Sequence, residues 1–278
     1  MLNALHRTVS TVSGVCLLFI MIISSKDNPK IKYAKKLLDS SSFRKKEGKI
    51  LIEGLRLCVD AAQNGVPIDT LFFTADFVRK FAEQAAFLRS KAAESFEVTR
   101  QVLSKISDTD SCQGAVCVCG MPRLCLELKR GGRYLVLENV SDPSNVGAAA
   151  RTAEALGADG IMVCGGCDPF GPKVLRASMG ALLRFPVEIF PDIHSVAQKL
   201  KESGIPLYCS VVSTADCTVR EMDFKKGCAV LIGNEACGAS PEAKNISDRL
   251  FTIPMSGRAE SLNAAAAAAI IIYEMTKG

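Results

Sequence analysis

The sequence predicts an α/β protein whose carboxyl-terminal domain is built on a parallel sheet. Apolar strands alternate with helices along the chain. In the second half, most strands are continuous apolar runs, such as Tyr134–Glu138 and Ala229–Gly233, and a helix follows most of them. Continuous apolar strands are typical of a parallel sheet that is covered on both faces.

The first segment, residues 21–122, is predicted to form a smaller α/β domain. Residues 1–20 are interpreted as an extension that is disordered or not native, because the apolar run there is too short to span a bilayer and lacks a cleavage site. The elements expected in order are helices at 31–38 and through the basic residues that follow, a strand at 49–53, a helix at 55–65, an apolar run at 71–73, a helix at 78–94, a strand at 96–99, a helix at 101–106 and a strand at 114–119.

Residues 123–132 follow a proline, are rich in charge and end in Gly-Gly, so they are predicted to be a linker. The second domain then spans 133–278. Its last helix contains six consecutive alanines, which permit close helix packing; burial in the core and a dimer interface both remain open. The expected strands are 134–138, 160–164, 187–190, 207–212, 229–233 and 250–254, and the expected helices are 146–156, 175–183, 193–203, a short one after Ser240, and the alanine-rich one.

Charge and cysteine content indicate the kind of partner, the redox environment and the metal content to expect. The net charge of +5 is mild, but residues 26–49 hold nine Lys/Arg against three acids. Such a cluster either binds phosphates or is a solvated helix face. The twelve cysteines mostly lie in or beside apolar runs, and Cys164-Gly-Gly-Cys167 is a lone C-x-x-C. We therefore expect reduced thiols, a cytoplasmic location and no metal site.

The loop after the strand 134–138 contains no G-x-G-x-x-G, which argues against dinucleotide-type pyrophosphate binding. Asn145 or Ser144 is predicted to cap the following helix. Arg151 is predicted in the second turn of that helix, after three alanines that leave a narrow face. A helical arginine is usually a surface charge, but the small residues around this one favour a place in a functional site.

Two further loops place polar residues at the carboxyl edge of the sheet, where α/β proteins bind ligands. Gly233-Asn234-Glu235 is either a polar turn or a functional loop, and Ser240 and Pro241 are expected as N-cap and first residue of the next helix. In the last loop, Ser261 is predicted to cap the alanine-rich helix. Asn263 would then lie in its first turn, where capping does not explain an asparagine.

Taken together, the three loops resemble the three motifs of the SpoU/TrmH group of SPOUT methyltransferases. The matching residues are Asn145 with Arg151, Gly233-Asn-Glu235, and Ile253-Pro-Met with Ser261-Leu-Asn263. This resemblance covers Arg133–Gly278. Residues 21–122 resemble the ribosomal-protein-like substrate-binding domain of many members. One departure is Ala236, where the family commonly has glycine; a positive φ at that position would strain alanine.

The resemblance implies an S-adenosylmethionine-dependent enzyme that methylates the 2′-hydroxyl of a ribose in structured RNA. It also implies a homodimer and a deep trefoil knot, a rare exception among folds. Because arginine is effectively always protonated, we expect Arg151 to clamp an RNA phosphate and polarise the hydroxyl rather than to act as a resting base. The other expected catalytic residues are Asn145, Glu235, Ser261 and Asn263, which would orient the ribose and Arg151, and the expected cofactor-binding residues are Gly233, Ile253, Met255 and Leu262.

With this resemblance, the basic residues of the first domain are predicted to select the RNA. Ribosomal RNA is preferred over transfer RNA, by analogy with the ribosomal-protein-like domain. Four alternatives stay open: a tRNA methyltransferase, a non-catalytic RNA-binding or ribosome-assembly protein, a conventional Rossmann methyltransferase, and a base methyltransferase of the same superfamily. The expected RNA-binding residues are Lys26, Lys30, Lys32, Arg44, Lys45 and Lys46.

Overall fold

The computed structural model describes residues 21–109, 112–122, 124–213 and 215–277, and the predicted extension at 1–20 lies outside them. The chain divides into two compact units. The first contains the described residues up to Pro122 together with Phe170–Pro172, and the second contains the remaining described residues. No helix in the described part of the chain is long and apolar enough to cross a membrane.

The first unit is a five-stranded mixed sheet with the strand order β1-β4-β3-β5-β2. Strands β1, β4 and β3 run parallel, whereas β5 is antiparallel to both β3 and β2. The strands are β1 (Met21–Ile23), β2 (Lys49–Glu53), β3 (Ile68–Phe73), β4 (Ala92–Val98) and β5 (Ala115–Gly120), and the helices are α1 (Pro29–Asp39), α2 (Ser41–Glu47), α3 (Leu55–Gln63), α4 (Ala75–Lys80), α5 (Ala82–Lys91) and α6 (Arg100–Leu103).

The second unit is a seven-stranded, wholly parallel sheet with the order β10-β12-β9-β11-β6-β7-β8. The parallel sheet predicted from the apolar strands is confirmed. Its strands are β6 (Arg133–Glu138), β7 (Gly160–Cys164), β8 (Val187–Phe190), β9 (Leu207–Ser210), β10 (Cys217–Thr218), β11 (Cys228–Ile232) and β12 (Arg249–Thr252), and its helices are α7 (Pro143–Ala155), α8 (Pro172–Ala177), α9 (Ile193–Glu202), α10 (Pro241–Ile246) and α11 (Ala264–Thr276).

Helices cover both faces of this sheet, as its apolar strands require. On one face, Tyr134 and Val136 of β6 share a core with Val196 and Leu200 of α9 and with Ala243 of α10. On the other face, α7 and α11 pack against each other, and α11 also contacts β6 and β11. Side chains alternate along a strand, so β6 and β11 contribute to both cores.

Two of the predicted helices are broken by non-helical backbone. The helix predicted at 78–94 is interrupted at Phe81, whose φ of −135° is not helical, and the chain turns into β4 at Ala92 to pair with β3. The helix predicted at 175–183 ends at Ala177, because Met179 and Gly180 have φ of 51° and 87°. A 3₁₀ turn at Ala181–Leu183 follows.

The predicted linker at 123–132 contains neither helix nor strand among its described residues. It is nevertheless fixed to the second unit. The side chain of Leu126 is buried in the core that includes Tyr134, and the Lys129 backbone N–H donates to the Tyr134 hydroxyl over 2.9 Å.

Candidate active site

Three loops meet at the carboxyl edge of the parallel sheet. The first loop (139–142) leads from β6 into α7, and the second (233–240) leads from β11 into α10. Because β6 and β11 are neighbouring strands, these two loops emerge side by side. The third loop (253–263) leaves β12 and enters α11, whose packing against α7 brings its first residue back to the other two.

The Glu235 carboxylate ties the second loop to the first. It accepts hydrogen bonds from the backbone N–H groups of Ser141 (3.1 Å) and Asp142 (2.9 Å), from the Ser141 hydroxyl (3.0 Å) and from Asn145 Nδ2 (3.0 Å). Partial burial favours a higher pKa for this carboxyl, but the hydrogen bonds outweigh it and lower the pKa to about 2. Glu235 is therefore ionised at neutral pH and positions the loop rather than carrying a proton.

Asn145 and Asn263 extend this network to the third loop. Asn145 is buried, and its Oδ1 accepts a 2.9 Å hydrogen bond from Asn263 Nδ2. The Asn263 Oδ1 in turn accepts from the backbone N–H groups of Ala265 and Ala266, so it caps α11. We call Asn145, Glu235 and Asn263, with the Ser141 and Asp142 groups that Glu235 binds, the three-loop cluster.

The observed caps correct two predictions. Asp142, not Asn145 or Ser144, caps α7: its carboxylate accepts from Ser144 N, and Pro143 occupies the first turn. Asn263, not Ser261, caps α11. In both cases the cap is the residue that directly precedes the first helical residue, where its side-chain oxygen reaches the free N–H groups of the first turn. The predicted cap and first residue of α10, Ser240 and Pro241, are confirmed.

The second loop folds tightly back on itself. Asn234 and Gly238 form an antiparallel bridge, and a Cβ on Gly233 would lie 2.2 Å from the backbone nitrogen of Ala239, so only glycine fits there. Gly238 has a positive φ of 70°, whereas Ala236 does not. The departure at Ala236 therefore introduces no backbone strain.

A cavity of about 320 Å³ opens between the second and third loops and the end of β9. All four predicted cofactor-binding residues line it, and so do Glu235 and Ser261 of the predicted catalytic set. Three of its lining side chains are large, apolar and exposed: Val212, Met255 and Leu262. The predicted cofactor-binding residues found here are Gly233, Ile253, Met255 and Leu262.

Arg151 lies on α7 outside the three-loop cluster. It is exposed and makes no hydrogen bond or ion pair with any described residue. Six helical residues separate it from Asn145, which corresponds to about 9 Å along the axis and about a third of a turn around it. The expectation that Asn145, Glu235 and Asn263 orient Arg151 is thus not met within one chain: these three side chains bind one another and the helix caps.

The prediction that Arg44 binds RNA is wrong. Arg44 is buried, and its Nη1 donates to the carbonyl oxygens of Leu37 (2.7 Å) and Leu38 (3.1 Å) near the end of α1. A helix leaves its last carbonyls without partners, and Arg44 satisfies two of them. It therefore holds α1 and α2 together instead of facing a ligand.

The remaining lysines of residues 26–49, which we call the basic window, fall into two groups. Acidic neighbours neutralise four of them, in the pairs Lys30–Glu94, Lys32–Asp27, Lys35–Asp39 and Lys49–Asp69. The others make no ion pair with a described residue, although Lys36 lies over the Phe43 ring. These unpaired lysines are Lys26, Lys36, Lys45 and Lys46.

Several residues of the site lie outside the predicted catalytic and cofactor-binding sets. Ser141 and Asp142 supply donors to Glu235, and Asn234 holds the first loop by donating from Nδ2 to the Asn139 carbonyl over 2.9 Å. The Asp-Pro pair at the start of α7 was a readable signal, because aspartate followed by proline is typical of a helix start. Within the described residues, no group of three or more His, Cys, Asp or Glu is arranged to hold a metal.

This geometry agrees with comparisons to known proteins. Residues 132–273 match the SpoU rRNA Methylase family, and residues 28–117 match the MRM3-like substrate binding domain. The chain belongs to the SpoU rRNA methylase family. Membership confirms the family that the three loops predicted, a family of methyltransferases.

Relatives differ in how much of the chain they share. A 23S rRNA (uridine(2479)-2′-O)-methyltransferase of Streptomyces viridochromogenes is 30% identical over 262 residues, which cover 90% of each chain. A tRNA (guanosine(18)-2′-O)-methyltransferase of Thermus thermophilus is 36% identical, but over only 50% of this chain and 72% of its own. The second match is therefore confined to part of the molecule.

A solved structure has the same architecture. The SpoU methyltransferase AviRb of Streptomyces viridochromogenes, crystallised with S-adenosylmethionine, superposes with a TM-score of 0.83 at 29% identity. The match covers 90% of this chain and 97% of that one. The predicted fold class, with a substrate-binding domain ahead of the catalytic one, is confirmed.

Proposed function

We propose that this protein transfers the methyl group of S-adenosylmethionine to a ribose 2′-hydroxyl of ribosomal RNA. One observation carries the proposal. The three-loop cluster, formed by residues from three separate loops, lies beside a cavity that contains every residue predicted to bind the cofactor. A cavity for the methyl donor and a rigid set of loops to position the ribose that accepts the methyl group thus lie at the same edge of the sheet.

The cavity suits S-adenosylmethionine in both size and lining. Its exposed apolar side chains, Val212, Met255 and Leu262, form a slot for the adenine ring. The backbone of Gly233, which lines the cavity without a side chain, contacts the ribose of the cofactor. The sulfonium of the cofactor supplies an already activated methyl group, so the protein has to align the acceptor oxygen and help to remove its proton.

The residues around the cavity divide this work. The three-loop cluster fixes the positions of the loops, because Glu235 is ionised and saturated with hydrogen bonds. Arg151, which does not line the cavity of its own chain, carries a free positive charge. Its guanidinium binds an RNA phosphate and polarises the 2′-hydroxyl, which lowers the cost of losing the proton. Ser261 is exposed at the rim of the cavity, where it contacts the ribose.

A homodimer is part of the proposal. Helix α11 exposes the large apolar residues Ile270 and Tyr273 one turn apart, alongside small alanines. A second copy that packs on this face would cover them, and it would supply an Arg151 from outside the first chain's own cluster. Within each chain, the loops at this edge would form the deep trefoil knot that the SPOUT resemblance implies.

Ribosomal RNA is favoured over transfer RNA by the way the relatives match. The S. viridochromogenes rRNA enzyme shares the length of both units, whereas the T. thermophilus tRNA enzyme shares about half of the chain. The unit that selects the RNA is then the first one, whose residues 28–117 match a substrate binding domain. The free lysines of the basic window provide it with phosphate contacts.

The test is methyl transfer by the purified protein. Labelled S-adenosylmethionine is incubated with ribosomal RNA or with transfer RNA, and ribose methylation is mapped by its resistance to alkaline cleavage. We expect label in one ribose of ribosomal RNA. Arg151→Ala should lower the rate by about 100- to 1,000-fold with cofactor binding intact, since one charged stabiliser of the transition state is removed.

Arg151→Lys serves as the matched control, because it keeps the charge but loses the planar fork. It should retain more activity than Arg151→Ala. Label on a base, label in transfer RNA alone, or an Arg151→Ala protein of normal activity would each contradict a separate part of the proposal.

A further inference from the structure

Lys244 is a charged residue of the cofactor cavity that neither the family motifs nor the three-loop cluster uses. It lies in the middle of α10 and lines the cavity together with Ser210 and Thr252. Among the described residues that line the cavity, the only other charged one is Glu235, whose carboxylate is already bound to the first loop. Lys244 is thus the cavity's one uncommitted charge among the described residues.

The side chain of Lys244 is half-buried and makes no hydrogen bond or ion pair with any described residue. Burial raises the pKa of the Cys209 thiol at the end of β9 to about 12, and the positive charge of Lys244 opposes that rise. Lys244 lines the cavity together with Ser210, the last residue of β9, so it lies beside the carboxyl end of that strand.

A half-buried ammonium without a partner favours an anionic ligand group. S-adenosylmethionine carries a single anion, the carboxylate of its methionine end; its adenine and ribose are neutral, and its sulfonium and amino groups are positive. We propose that Lys244 binds the carboxylate of S-adenosylmethionine and so fixes the amino-acid end of the cofactor. This inference rests on the proposed function, because it takes S-adenosylmethionine as the ligand.

Calorimetry with three ligands tests the assignment without RNA. S-adenosylmethionine and S-adenosylhomocysteine both contain the carboxylate and differ in the sulfonium charge. 5′-Methylthioadenosine keeps the nucleoside and the sulfur but lacks the amino-acid end. In Lys244→Met we expect the affinity for the first two ligands to fall by roughly tenfold, as for the loss of one charged hydrogen bond, and that for 5′-methylthioadenosine to stay unchanged.

Two further variants complete the design. Lys244→Arg keeps the charge and should stay within about threefold of the unsubstituted protein. Lys226→Met removes an exposed lysine elsewhere in the second unit and should change none of the three affinities. Unchanged binding of 5′-methylthioadenosine to Lys244→Met also shows that this variant folds with its cavity intact.

The possible failures are distinguishable. If Lys244→Met binds S-adenosylmethionine normally, or loses 5′-methylthioadenosine to the same extent, the carboxylate assignment is overturned while the proposed function stands. If only S-adenosylmethionine, and not S-adenosylhomocysteine, changes its affinity, Lys244 responds to the sulfonium instead, and the assignment is again overturned. If the unsubstituted protein binds neither S-adenosylmethionine nor S-adenosylhomocysteine, the proposed function itself fails.

Discussion

The three-loop cluster and the basic window are both rich in polar residues, but they use them in opposite ways. In the cluster, Glu235 and Asn145 are bound to other loops of the same unit, which leaves them fixed. In the basic window, Lys45 and Lys46 are exposed and unpaired, which leaves them adaptable. Chemistry at one oxygen needs a rigid frame, whereas contact with a phosphate backbone tolerates mobile charges.

The largest expected effect breaks the frame at its centre. The Glu235 carboxylate accepts hydrogen bonds from two backbone N–H groups, one on each oxygen. In Glu235→Gln one of these oxygens becomes an NH₂ group, which is a donor and cannot accept from the N–H group that faces it. The first loop should shift, and a displacement of about 1 Å is enough to lower methyl transfer by about 100-fold. The measurement is kcat/KM with labelled cofactor.

Glu242→Gln is the matched control for this variant, because Glu242 is an exposed glutamate on α10 outside the cluster. It should keep normal activity. A Glu235→Gln enzyme within threefold of the unsubstituted protein would mean that the first loop holds its position without this carboxylate.

A smaller effect is expected from reversing free charges in the basic window. Lys45→Glu with Lys46→Glu should weaken RNA binding by about tenfold at 0.1 M salt and make it less dependent on salt, because fewer counterions are released. Filter binding or fluorescence anisotropy over a salt series measures both quantities. Catalysis at saturating RNA should change little.

The control pair is Lys30→Glu with Lys32→Glu, which changes the net charge equally but at lysines that Glu94 and Asp27 already neutralise. Its effect on RNA binding should be weaker. Equal losses of affinity in the two double variants would show that the overall electrostatic field of the unit matters and that individual free lysines do not.

Arg44→Met, by contrast, should lower the free energy of unfolding by about 2 kcal/mol and leave RNA binding of the folded protein unchanged.

The smallest effect is a dependence of stability on acid pH. The pKa of Glu235 is depressed to about 2 from 4.5, so its ionised form contributes stability above pH 4.5, and this contribution is lost as pH falls from about 4.5 toward 2. Because the Glu235 side chain is exposed, solvent screens its charge and limits the loss of stability to about 1 kcal/mol or less. Denaturant titrations of the unsubstituted protein and Glu235→Gln should converge across that window. A constant difference between them would contradict the cause assigned to the pKa.

Much of the fold could be predicted from local sequence. Strands such as Lys49–Glu53 and Gly160–Cys164 lie where the apolar runs predicted them, because burial on both faces leaves few other ways to satisfy such runs. Val187–Phe190 also lies where it was predicted, although only its first and last residues are buried. The two-residue β10 and the switch from α5 to β4 were missed. Their formation depends on pairing with distant strands, which no local propensity encodes.

The candidate site divides in the same manner. The sequence by itself determined which residues take part, because Asn145, Glu235 and Asn263 lie in or directly after three loops with recognisable spacing. Only the tertiary structure decided what they do: sheet order places the loops side by side, and the hydrogen bonds then join these three to each other and leave Arg151 apart. It also decided that Arg44 is buried while Lys45 beside it is free. A residue's charge is written in the sequence, but its partner depends on which distant atoms the fold brings within about 3 Å.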